Sequence, residues 1–219
     1  MKKLFIVAII ALLGFTQTEA QVTFKPGLRG GVNFSHFASG NDYNTSYYYD
    51  NNGNYVQTTN NNDDFKAKTD FYVGFYGALH LTKYYTLQPE INYSRQGSYL
   101  DSRNGNVVTR TKFDVSYLSI GILNKFTFTD KFNFHVGPTL DFVVDKTKFT
   151  NENSDDFFLF PSNNDVDLTL TAGFGYNFTK NFGLEARVKK GFISVYDFNN
   201  SNPKNVVFQL GATYTFDIK

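Results

Sequence analysis

From Val166 to Phe178 the chain alternates without a break: Val, Leu, Leu, Ala, Phe, Tyr and Phe in one phase, Asp, Thr, Thr, Gly, Gly and Asn in the other. A repeat of two puts those sets on opposite faces of an extended strand, and no helical stripe can be drawn through it. Seven more segments past Gln21 keep the rhythm, near 24–35, 70–82, 86–96, 112–128, 132–145, 182–193 and 205–216. Eight half-apolar strands restrict the chain to an all-β fold in which one face of every strand meets an apolar medium. Two irregularities carry expectations. Phe113, Val115 and Tyr117 lie out of phase with Leu118, Ile120 and Ile122, which predicts a bulge or a strand running past the apolar zone. Pro89 and Pro138 each remove a ladder donor inside a strand, which predicts bulges there.

The connections alternate between short and long. LTKYYTL (81–87), FTDKFNF (128–134) and FTKNFGL (178–184) are near-copies of one turn: an apolar residue, Thr, turn formers, an aromatic, and an apolar residue two places on. The long connections cover about 36–69, 97–111, 146–165 and 194–204. Tight turns at one end and long loops at the other are the rhythm of an antiparallel up-and-down barrel; in outer-membrane barrels the tight end is periplasmic.

Alternation alone does not say which face is wet. A soluble barrel would show water a face thick with Lys and Glu. Here the polar phase is small, with Gly31, Gly74, Gly121, Gly137, Gly173, Gly175, Gly183, Gly191 and Gly211 among Ser and Thr. Small residues suit the cramped interior of an eight-stranded barrel. The apolar phase is free of charge, and Tyr84, Tyr85, Phe128, Phe132, Phe178, Phe182 and Phe216 gather near the turns as a periplasmic aromatic girdle. About ten residues per strand, tilted by about 40°, give roughly 25 Å of height, which matches such an apolar band. The expected fold is an eight-stranded transmembrane β-barrel of OmpA/OmpX type. The 25 Phe and 15 Tyr suit pleated surfaces.

Residues 1–20 read as a secretory signal peptide: Lys2 and Lys3, an apolar run from Leu4 to Leu13, and cleavage between Ala20 and Gln21. That run is too short to cross a hydrocarbon core of about 30 Å as a helix. Residues 21–219 then form one barrel domain. With no Cys there is neither a disulfide scaffold nor a lipoprotein anchor. A net charge of +1 and no basic patch along the sequence argue against nucleic acid as a partner.

The polar phase places Arg29, Glu90, Lys125, Asp141, Glu185, Arg187 and Lys189 inside the barrel, with His80 and His135 nearby. Mixed signs in a space without an aqueous channel predict a plug of paired charges rather than a pore. His36, with Ser35, Ser39 and Asp42, is the one catalytic candidate, but neighbouring strand residues point to opposite faces, so no enzyme is expected. Asp50-Asn51-Asn52-Gly53 lacks the ligand spacing of a calcium loop, and no metal or cofactor is expected. The Asn- and Tyr-rich first loop reads as solvated loop chemistry, with an extracellular or envelope protein as the partner it would take. A monomer in outer-membrane lipid with a structural or interaction role follows. A small-solute porin is the transport alternative, and a lipid-modifying enzyme the third.

Gly30-Gly31-Val32-Asn33-Phe34-Ser35, Leu87-Gln88-Pro89-Glu90, Tyr117-Leu118-Ser119-Ile120, Val136-Gly137-Pro138 and Phe208-Gln209-Leu210-Gly211, in that order, resemble the PorT-like outer-membrane β-barrel domain of Bacteroidota exported proteins. The resemblance spans the mature chain. It departs at Gly121, where that family often has Pro, in the length of the first loop, and at the final Phe216-Asp217-Ile218-Lys219. It implies location and architecture; a part in secretion follows from the family name by analogy alone.

Overall fold

The computed structural model describes residues 22–38, 44–49, 53, 55–60, 64–104, 107–151, 157–159, 164–194 and 204–217. The signal segment, with Ala20 and Gln21, lies outside them. Eleven strands form among the described residues: β1 (Thr23–Ala38), β2 (Asn44–Tyr49), β3 (Tyr55–Asn60), β4 (Asp64–His80), β5 (Tyr85–Asn104), β6 (Val107–Thr127), β7 (Phe132–Asn151), β8 (Phe157–Leu159), β9 (Val166–Asn177), β10 (Phe182–Gly191) and β11 (Lys204–Thr215). Eight of them pair antiparallel in the order β6-β5-β4-β1-β11-β10-β9-β7, and β7 pairs back onto β6. The sheet therefore closes. The short β8 extends the β7 side, and β2 with β3 makes a separate hairpin within the first long connection.

The period of two has the orientation expected of a barrel in lipid. Phe75, Ile122 and Phe174 are more than half exposed on the outer wall, whereas Tyr72, Asn33 and Arg187 are buried in the lumen. A closed ladder of this kind leaves no unpaired sheet edge in hydrocarbon.

The three copies of the turn fold alike, and their shared Thr explains the repeat. The Oγ1 of Thr82 accepts from the backbone N–H groups of Tyr84 and Tyr85 at 3.2 and 3.0 Å. Thr129 does the same for Lys131 and Phe132 at 3.4 and 3.0 Å, and Thr179 for Asn181 and Phe182 at 3.2 and 2.9 Å. The hydroxyl thus satisfies donors that a four-residue turn leaves outside the ladder. Each turn is also stitched to the next hairpin: Tyr84, Lys131 and Asn181 carbonyls accept from Thr127, Asn177 and Thr215 at 2.8, 2.7 and 2.8 Å. The exposed rings of Tyr84, Phe128, Phe132, Phe178, Phe182 and Phe216 ring this end, with Tyr85 half-buried and its hydroxyl donating to Asn124 at 2.7 Å.

Two expectations are corrected, and a third is met for a reason other than the one given. Pro89 and Pro138 sit without bulges. The ladder skips Pro89 on the β4 side and Pro138 on the β6 side, but the register is the same before and after each gap, because the other neighbour, at Ile122 and Leu170, holds the strand. Phe113, Val115 and Tyr117 do not change face. They point into the lumen like Ser119 and Gly121, and it is the lumen that turns apolar there, where they cluster with Phe37 against Phe65, Leu100 and Val143. The expected irregularity is present: the β6–β7 register shifts between Asp114 and Tyr117, where β7 spends five steps from Val143 to Lys148 against three on β6. Last, 64–69, 97–104, 107–111 and 146–151 are strand rather than loop. Beyond the bilayer the outer face meets water instead of lipid, while Phe65 and Leu100 still pack inward on the aromatic cluster, so the apolar-outside alternation is lost although the backbone ladder continues. The result is a ledge of β4, β5, β6 and β7 rising past the other four strands.

Removing the turn hydroxyl by Thr129→Ala or Thr179→Ala is expected to cost about 0.5–1.5 kcal/mol each. Urea unfolding in phospholipid vesicles measures it, and unchanged midpoints would remove the turn's role.

Candidate functional site: the barrel lumen and its tight-turn mouth

Along β1 the inward residues Lys25, Arg29, Asn33, Ser35 and Phe37 mark the layers of the lumen from the tight-turn end upward. At mid-height four charges from three strands meet. Arg29 donates to Glu90 at 2.7 Å and to Glu185. Arg187 reaches both Glu90 oxygens at 3.0 Å and lies 2.9 Å from Glu185. The result is a closed Arg–Glu–Arg–Glu ring. Because β5 and β10 stand four places apart in a ring of eight, the bond from Arg187 to Glu90 crosses the full width of the barrel. The Tyr72 hydroxyl donates to Glu185 at 3.1 Å, and Arg29 lies 5.1 Å from the centre of its ring. Gly211 makes room for this reach, since a Cβ there would stand 2.0 Å from the Tyr72 oxygen. Charges this deep are tolerated only with partners of opposite sign on hand.

Above the ring, Lys189 donates to Asp141 at 2.8 and 2.9 Å and to Ser119 at 3.2 Å. Beside this pair an amide layer forms, in which Gln209 donates to Asn33 at 2.8 Å and Asn33 to Ser94 at 2.9 Å. Asp167 accepts from the Phe192 and Ile193 N–H groups at 3.1 and 2.9 Å. Gly97, at φ 150°, packs where a Cβ would strike the Phe113 carbonyl at 1.9 Å. It exchanges hydrogen bonds of 2.8 Å with the Ser35 hydroxyl in both directions. The aromatic cluster completes the column, with Phe37 set edge-on to Phe65 and Phe113 at 5.9 Å.

Six of the seven interior charges read from the sequence are thereby brought together. Lys125 is not. It sits below the ring and makes no ion pair among the described residues, so the expectation that every interior charge is paired fails for it. His80 contacts the Thr86 hydroxyl at 2.8 Å, and His135 contacts Asn133 at 3.4 Å. Ser35 is buried in the lumen, and His36, next along β1, belongs to the other face. Ser39 and Asp42 fall outside the described residues, as do Asp50, Asn51 and Asn52. Among the described residues no group of three or more His, Asp or Glu is placed to hold a metal ion.

Sequence reading missed a cavity of about 580 Å³ open at the tight-turn end. Lys25, Lys83, Lys125, Lys131 and Lys180 line it, together with His80 and a single carboxylate, Asp130. No basic patch is visible along the chain because these lysines are scattered over it. The signal was present all the same: every copy of the repeated turn carries one Lys.

The ledge is held by ion pairs above the apolar band. Asp101 accepts from Arg110 at 2.6 and 2.9 Å and faces Lys66 at 2.6 Å, and these bonds hold its carboxyl well below the usual carboxylate range. Burial pushes the Asp114 carboxyl up, but Lys68 at 2.7 Å and Lys112 at 3.0 Å outweigh it and leave it below its ordinary value.

Breaking the ring from one side, by Glu90→Gln, leaves Arg29 and Arg187 to share Glu185, with one buried positive charge uncompensated, and should cost about 3–5 kcal/mol of stability. Exchanging all four members for apolar residues of like volume should cost less than that single change. Urea titration in bilayers orders the two; the opposite order would deny that the ring is a coupled unit.

The fold resembles those of solved outer-membrane proteins. Neisserial surface protein A (NspA) matches with a TM-score of 0.52 at 14% identity, over 87% of this chain and 97% of that one. The attachment invasion locus protein Ail of Yersinia pestis matches at 0.46 and 14%, over 88% and 98%, and OprG from Pseudomonas aeruginosa at 0.44 and 14%, over 90% and 98%. No curated protein matches the sequence. The family model described as outer membrane protein beta-barrel domain matches residues 15–197. With eight strands closed in the matching architecture, the chain belongs to that outer-membrane β-barrel family and resides in the outer membrane.

Proposed function

We propose that this barrel is a monomeric interaction protein of the outer membrane, its lumen plugged by its own side chains and its binding carried by the loop end. The observation behind the plug is the bond from Arg187 to Glu90 across the whole lumen, with the aromatic cluster above it. The ledge of β4 to β7 and the β2–β3 hairpin support a binding role, since they extend the backbone beyond what spanning lipid requires. The exposed rings at the tight-turn end act on this reading as an interfacial girdle. The ordered segments from Gly30 to Gly211 support a closer kinship with PorT-like barrels. The placement of Ser35 and His36 on opposite faces favours a non-enzymatic role.

A small-solute porin is the second reading, favoured by the open cavity below the ring. Planar-bilayer recording separates the two. Purified protein is expected to give no steady single-channel current, while pull-down from membranes recovers a partner with the intact chain and loses it when residues 41–64 are deleted. Steady currents would overturn the plug, and partner capture indifferent to the deletion would overturn the loop's role.

A further inference from the structure

The lysine-lined mouth is unused by any role at the loop end, and its charge is out of keeping with the chain. The whole sequence carries a net +1, yet in this one cavity five lysines face one carboxylate. Like charges gathered around a recess with low-dielectric walls repel one another and focus a positive potential into it, and an anion in the recess relieves both. Lys25 pairs with Asp217 at 2.8 Å at the rim, where Asn181 also donates to it at 3.1 Å, whereas Lys125, at the inner end, has no ion-pair partner among the described residues. The three remaining lysines come one from each turn, Lys83 and Lys180 directly after the shared Thr and Lys131 one place further on, after Asp130.

We propose that the periplasmic mouth is a binding site for a compact, soluble, multiply charged phosphate, on the scale of a phosphorylated sugar. The volume of about 580 Å³ falls within the range of small-molecule pockets. The lining supplies ammonium groups and the hydroxyls of Tyr76, Thr86, Thr127, Thr213 and Thr215, with no guanidinium. Lysine ammonium groups hold phosphate as point charges, and several of them converging on one recess suit a ligand that carries more than one negative charge. A phospholipid headgroup does not meet the geometry, because the closed wall separates the barrel axis from the acyl chains. The Arg29–Glu90–Arg187–Glu185 ring lies beyond the inner end of the site, where Glu185 and Arg187 border a small void shared with Tyr76 and Lys125, so the ligand binds below the ring without crossing it.

Titration calorimetry on the full barrel in uncharged detergent tests this with pyrophosphate, glucose 6-phosphate and glucose. Both phosphates should bind saturably, glucose should not, and added phosphatidylglycerol should leave the pyrophosphate affinity unchanged. The triple variant Lys83→Gln/Lys131→Gln/Lys180→Gln is expected to weaken pyrophosphate binding at least tenfold. Asp130→Asn, which removes the opposing charge, should tighten it, and Lys190→Gln, at the far end of β10, should do neither. Should the triple variant fail to fold, the tightening by Asp130→Asn and the loss of binding in high salt still decide. Absence of saturable binding at low salt, an affinity indifferent to Asp130→Asn, or displacement of pyrophosphate by the phospholipid would each overturn the proposal.

Discussion

Hydrocarbon offers no hydrogen bonds, so a chain that crosses it in strands must pair every backbone donor and acceptor with itself. That requirement closes β6 onto β7, makes the ladder tolerate Pro89 and Pro138 without losing register, and stitches each tight turn to the following hairpin. It also reverses the usual sense of a core. The greasy face of every strand is satisfied by lipid, and what the barrel encloses is its polar face. The interior must then solve a second problem, how to bury charge without water, and the Arg–Glu–Arg–Glu ring is the local solution: each carboxylate serves two guanidinium groups, and each guanidinium two carboxylates.

The ring divides the lumen. Above it amide, hydroxyl and finally aromatic side chains pack against one another; below it the lumen opens as a basic recess at the tight-turn end. Those halves are built differently because their ends are. Long strands on the loop side supply inward side chains at every level, while at the turn side the strands stop at four-residue turns whose tips project lysines and leave the axis open.

Much of this was legible in the sequence. The alternation from Val166 to Phe178 reports the two faces directly, and the small polar phase told lipid from water. Interior charges could be named because their phase was fixed, though not their partners: that Arg187 meets Glu90 depends on strands four places apart, which no local pattern encodes. The ledge escaped because its outer face meets water rather than lipid, so the outward apolar residues that mark the lower strands are missing. Phe113, Val115 and Tyr117 looked out of phase because an apolar residue was equated with the lipid face, an equation that fails once the lumen itself turns apolar. The mouth escaped because its lysines lie in three turns and two strands far apart along the chain and converge only when the barrel closes.

The account rests on which face meets lipid, and methyl NMR of the barrel in bilayer nanodiscs reads that without altering a residue. Ile91, Ile120 and Ile122 are predicted to show cross-relaxation with lipid acyl chains, whereas Leu123 and Val207, each no more than 1% exposed, and the lumenal methyls of Thr139 and Thr171 show none. Acyl-chain contacts from the threonine methyls, with the isoleucines silent, would contradict it.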